Sequence, residues 1–95
     1  MKLMMALVPS ECMEEVQELV EKHEIHAYTE IPSVLGAGRA GKKLGTRAFP
    51  GTTGMLLLVV ESEKAETVIE AIREFADCSC DKAVRMFSIP ADLVI

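Results

Sequence analysis

Residues 36–54 gather the groups best suited to holding an anion. All six glycines of the chain lie there (Gly36, Gly38, Gly41, Gly45, Gly51 and Gly54), together with Arg39, Lys42, Lys43 and Arg47 and no acid. Successive backbone N–H groups in a glycine-rich turn, flanked by guanidinium and ammonium groups, match a phosphate-like ligand. Gly36-Ala37-Gly38-Arg39-Ala40-Gly41 fits the dinucleotide pattern G-x-G-x-x-G, and Gly36 to Lys42 fits the first seven positions of G-x-x-x-x-G-K. Both motifs must open a helix whose N-terminus receives the phosphates. Here the next residues lack helical periodicity and include Pro50, and Lys43 stands where a magnesium-holding Ser or Thr is required. A nicotinamide enzyme and a P-loop NTPase are therefore not expected, and a less specialised anion site is.

A second cluster, Cys78-Ser79-Cys80 followed by Asp81, offers two thiols to a soft metal, with His23 and His26 as further donors. A single short Cys-x-Cys without a second spaced pair is a weak metal signal. The simpler reading is a chain of small residues turning out of a helix. Cys12 falls on an apolar stripe and is expected in the core. Three cysteines, an odd number, in a chain with no export signal at its start predict reduced thiols and a cytoplasmic location. No nucleophile, base and orienting acid stand in a recognisable arrangement, so an enzyme is not expected.

The 95 residues suffice for one small domain over 1–95. At 49% apolar and 26% charged residues the composition is globular, and no apolar run approaches a membrane span. The net charge of −5 argues against nucleic acid. Outside residues 36–54 six cations face fifteen acids, so a basic loop is attached to an acidic body. A connection of this length in a small domain is usually functional.

The elements that must position these groups follow from hydrophobic period. Residues 2–9 form a short apolar run ending at Pro9, a strand by length. Ser10 is placed to cap a helix in which Cys12, Met13, Val16, Leu19 and Val20 share a face opposite Glu14, Glu15, Glu18 and Glu21. Residues 25–34 read as a strand whose Pro32 marks an edge or bulge. Residues 55–60 are continuously apolar, and a second helix beginning at Ser62 or Glu63 puts Ala65, Val68, Ile69, Ile72, Phe75 and Ala76 on one stripe. Residues 83–90 read as the last strand. The order βαββαβ is that of a ferredoxin-like α+β sandwich, an antiparallel four-stranded sheet with two helices on one face. Its other face carries apolar side chains and calls for a partner, so a homo-oligomer with packed sheets is expected.

Read in this order, the chain resembles the PII-type nitrogen regulatory proteins over nearly its whole length. The resemblance is carried by Met1-Lys2-Leu3, the helix after it, the Gly36-Ala37-Gly38-Arg39 turn, the apolar strand leading into Glu66-Thr67-Val68-Ile69-Glu70-Ala71-Ile72, and the closing Arg85-Met86-Phe87-Ser88-Ile89-Pro90. It implies a homotrimeric, non-enzymatic signalling protein that binds adenine nucleotides (ATP, ADP or AMP) in clefts between subunits, with no obligatory cofactor. It also implies control of a membrane transporter or a metabolic enzyme through the long loop, the family's T-loop. Gly36, Gly38 and Arg39 would match the loop base near the phosphates. Arg85 would match the basic residue of the last strand, and Lys82 lies in the segment before it. Lys42, Lys43, Arg47 and Phe49 would face the partner.

The chain departs from the family where residues 77–85 replace a glycine-rich loop with a segment that has no glycine, and where it ends at Ile95 before the family's arginine pair. Its loop has no tyrosine, so nucleotidylylation is not expected. A smaller anion than a nucleotide is compatible with these departures. The alternative is a metal-responsive protein of the same fold, similar to the divalent-cation tolerance family, using Cys78, Cys80 and a histidine.

Overall fold

The computed structural model describes residues 1–38, 41–43, 45–48, 51–79 and 83–95. Four strands form one antiparallel sheet in the order β2-β5-β1-β6: β1 (Lys2–Pro9), β2 (Tyr28–Val34), β5 (Thr53–Val60) and β6 (Arg85–Pro90). The helices α1 (Met13–Lys22) and α2 (Ser62–Cys78) cover one face, as the ferredoxin-like expectation requires. No described helix is long and apolar enough to cross a membrane.

Alternation along the strands separates the two faces. Met4, Ala6 and Val8 of β1 pair with Leu58, Leu56 and Gly54 of β5, and this row is buried beneath Met13, Val16 and Val20 of α1 and Ala65, Val68 and Ile72 of α2. Met4, Ala6, Val8 and Leu56 are wholly inaccessible, so the core is centred on the β1–β5 pair. The apolar stripes of both helices are thus the ones that period 3.6 identifies, with Ile69, Phe75 and Ala76 at the stripe's half-buried margin.

The other face is open and built from cross-strand rows. Ile31, Met55, Leu7 and Arg85 form one row; Thr29, Leu57, Met5 and Phe87 form the next; Val59, Leu3 and Ile89 form the third. Val59, Phe87 and Ile89 are each more than half exposed. No described residue covers these side chains.

Three local expectations are corrected. Residues 36–54 are not free of regular structure, because β3 (Gly36–Gly38) and β4 (Gly41–Lys43) pair as a short antiparallel ribbon. Ser10 does not cap α1 through its side chain; a 3-10 turn, Ser10–Cys12, precedes that helix instead. Reduced thiols are not found throughout either, since Cys12, though buried as expected, is disulfide-bonded. The strand ends also move: β2 starts at Tyr28 rather than at residue 25, and β6 at Arg85 rather than at residue 83.

Candidate functional site

Strand connectivity brings the chemically interesting segments to one end of the sheet. Arg85 opens β6 beside Leu7, near the end of β1, and Pro9 pairs with Thr53 at the start of β5. Val34 at the end of β2 also pairs with Thr53. Both roots of residues 35–52, the 3-10 turn and the start of β6 therefore lie at the same end of the sheet, with β2 and β6 at its opposite edges. The opposite end holds the turn after α1, in which Glu24 adopts φ 66° and donates its N–H to the Glu21 carbonyl at 3.0 Å.

The roots of the loop are pinned by Ser10. Its hydroxyl lies 2.7 Å from Thr52 Oγ1 and donates to the Pro32 carbonyl at 3.4 Å, and its N–H donates to the Thr52 carbonyl at 3.2 Å. One side chain thus touches the strand entering the loop and the residue leaving it. Next to it, Met13 packs closely on Gly54, and a Cβ there would require the flexible thioether end of Met13 to move. Gly45 has φ +64°, the left-handed region that glycine occupies without strain, and its N–H donates to the Gly51 carbonyl at 3.2 Å. Gly36 and Gly38 have open space around them. Glycine at these two positions leaves the ribbon backbone uncovered for a ligand to approach.

A cavity of about 550 Å³ lies between α2 and β6. Ile69, Ile72, Ala76, Val84 and Met86 give it an apolar wall, and Arg73, Asp77, Arg85 and Ser88 give it a polar rim. The Arg85 guanidinium donates to the Val84 carbonyl at 3.0 Å, which folds it back over the strand start. Arg73 pairs with Glu70 one turn earlier on α2, both side chains about 60% exposed. In water that pair contributes little, so Arg73 can exchange its partner for a ligand anion at small cost. The arrangement can take a ligand with one flat apolar part and one anionic part.

The site residues expected from the sequence divide by location. Gly36, Gly38 and Arg85 lie at the loop end of the sheet, with Arg85 on the cavity rim. Lys42 and Lys43 are placed by backbone in β4, paired with Ala37 and Gly36. Arg47 is exposed in the bend after the ribbon. Arg39, Phe49, Cys80 and Lys82 lie outside the described residues. Cys78 is a free, exposed thiol at the last position of α2. Among the described residues no group of three or more His, Cys, Asp or Glu is arranged to hold a metal ion. Arg73 was not singled out from sequence; its signal is its place on the margin of the apolar stripe, four residues before Asp77.

The comparisons with known proteins agree with this fold. Among curated protein sequences none is similar to the chain. Among solved structures, CPII, a nitrogen regulatory PII-like protein from Thiomonas intermedia K12 determined with ADP, AMP and bicarbonate, superposes with a TM-score of 0.72 at 19% identity, covering 93% of this chain and 84% of that one. The family model described as nitrogen regulatory protein P-II matches residues 1–95. With its fold and its sequence pattern in accord, the chain belongs to the P-II family of nitrogen regulatory proteins.

Proposed function

We propose that the protein is a non-enzymatic sensor. It takes a small anionic effector, an adenine nucleotide, at the cavity between α2 and β6, and binding changes the order of residues 36–54. In one of its two states this loop engages a transporter or enzyme. The observation that carries the reading is a half-apolar cavity at the β6 edge whose rim holds Arg73 and Arg85, at the same end of the sheet as the roots of the basic loop. The apolar wall suits a purine face and the two guanidinium groups suit phosphate oxygens. Gly36, Gly38 and Arg39 at the loop base and Lys82 ahead of β6 complete the anion site in this reading, while Lys42, Lys43, Arg47 and Phe49 meet the partner. The ligands of the Thiomonas protein, ADP, AMP and bicarbonate, support the effector class.

Three copies turning their open sheet faces toward one another would cover the Leu3, Met5, Leu57 and Phe87 surface, as the family resemblance implies. That packing brings the cavity of one subunit to the border of the next. The energy for switching is the difference in effector affinity between two loop states.

Calorimetric titration with ATP, ADP and AMP, each with and without bicarbonate, tests the ligand. At least one nucleotide should release heat. Arg85→Ala should weaken it by about 10- to 100-fold, the worth of one hydrogen bond to a charged group. Absence of heat with all three, at protein concentrations above the expected dissociation constant, overturns the nucleotide reading.

A further inference from the structure

β6 is the last strand in the sheet order, so one of its edges meets no other described strand. Which backbone groups that edge presents follows from the ladder. Ala91 donates its N–H to the Met1 carbonyl at 3.2 Å, one step beyond the Lys2–Pro90 pair. Residues opposite each other in an antiparallel pair alternate between exchanging hydrogen bonds and exchanging none. Leu3 with Ile89, Met5 with Phe87 and Leu7 with Arg85 are therefore the bonded pairs, and the N–H and C=O groups of Met86 and Ser88 point away from β1. Pro90 falls in this outward set, a place where proline removes no ladder bond.

The same two residues line the cavity between α2 and β6. Their side chains share the helix-facing side of the sheet with Ala6 and Met4, their partners on β1, while their free backbone groups stand at the cavity's edge. We propose that this edge reads the base of the nucleotide and selects adenine: the Met86 carbonyl accepts from the N6 amino group and the Ser88 N–H donates to N1. Base selection of this kind rests on the reading of the cavity as a nucleotide site.

Chemistry and spacing both fit. On an extended edge the C=O of one residue and the N–H of the residue two further on point the same way, an acceptor followed by a donor. Adenine offers the complement, its N6 amino donor beside its N1 acceptor. Guanine and hypoxanthine carry O6 and N1–H in those places, so acceptor would face acceptor and donor would face donor. Each mismatch leaves a desolvated polar group without a partner, which costs more than the bond itself contributes. Ser88 stands three residues beyond Arg85, about 10 Å along an extended strand, which matches the reach of a nucleotide from base edge to phosphates. With the base beside Met86 and Ser88, the phosphates fall at the Arg85 end of the cavity, and Ile69, Ile72 and Ala76 of α2 supply the apolar wall.

Calorimetric titration of the whole chain compares ATP, ITP and GTP, and then AMP, IMP and GMP. Within each series the sugar and phosphates are identical, so only the base edge varies. The adenine nucleotide should bind at least about tenfold more tightly than its inosine and guanosine counterparts, two hydrogen bonds being at stake. Ser88→Pro removes the outward N–H without removing a ladder bond and should weaken the adenine nucleotide about tenfold, whereas Ser88→Ala, which keeps the backbone donor, should stay within about twofold of wild type. Should Ser88→Pro fail to fold, purine riboside monophosphate, which lacks only the N6 amino group, makes the comparison on the wild-type chain and should bind about tenfold more weakly than AMP. Equal affinity for adenine and guanine nucleotides, or a folded Ser88→Pro that binds like wild type, overturns base selection by this edge and leaves the nucleotide site standing. Absence of heat with every nucleotide removes the site and its base selection together.

Discussion

Phe87 gives the clearest prediction about assembly. It stands in the middle row of the open sheet face, opposite Met5, and is 56% exposed in a single copy. An aromatic side chain has about 200 Å² of surface, so packing sheet against sheet removes roughly 110 Å² per copy from water. At about 25 cal/mol per Å² this is worth ~3 kcal/mol, of which Phe87→Ala forfeits about 2 kcal/mol. Over three copies the loss is about 6 kcal/mol. Because the midpoint concentration of a monomer–trimer equilibrium varies as the square root of its constant, the midpoint should rise more than about a hundredfold. A dilution series followed by sedimentation velocity or multi-angle light scattering reads this directly. The folded monomer already exposes most of the ring, so its far-ultraviolet circular dichroism should not change. A wild-type chain that remains monomeric at all concentrations, or a variant that assembles like wild type, refutes the reasoning.

Three further outcomes follow from local geometry. Leu56→Ala, at a wholly buried position of the central strand, should lower unfolding stability by about 2–5 kcal/mol in denaturant titration. Glu24→Gly should be neutral or stabilising by up to about 1 kcal/mol in thermal unfolding. The left-handed backbone at residue 24 suits glycine, and the Lys64 partner that is lost lies 3.6 Å away in a solvent-exposed pair. Tyr28, the single tyrosine, donates its hydroxyl to Glu21 at 2.8 Å, and this hydrogen bond, followed by desolvation and the Glu21 and Glu30 charges, raises its pKa above 10.0. Since the protonated form makes the bond, its stabilisation is present below pH 10 and is lost as pH rises through the raised pKa. The phenolate absorbance should therefore titrate later in wild type than in Glu21→Gln.

The fold was legible because its signals are local. The periods of α1 and α2 name their buried residues, and the unbroken apolar runs of β1 and β5 foretell both a buried face and an open one. What escaped depends on distant partners. Ser10 has the residue type and position of a helix cap, but Thr52, 42 residues away, claims its hydroxyl. Cys12 reads as a core residue from its stripe, and its bond needs a second cysteine that only the folded chain can bring near. The pairing of β3 with β4 is hard to foresee because three-residue strands rich in glycine carry almost no alternation. Arg85 was found by resemblance and stands on the cavity rim, whereas Arg73 joins it only once α2 lies beside β6.

Hydrogen exchange along residues 36–54, with and without saturating ATP, ADP or AMP, bears most directly on the idea that ligand occupancy sets the state of the loop. One of these nucleotides should change the exchange rates of loop amides by about tenfold or more, the usual scale of coupling between two sites, while β1 and β5 stay unchanged. Identical loop exchange in every condition, with nucleotide demonstrably bound, would contradict it.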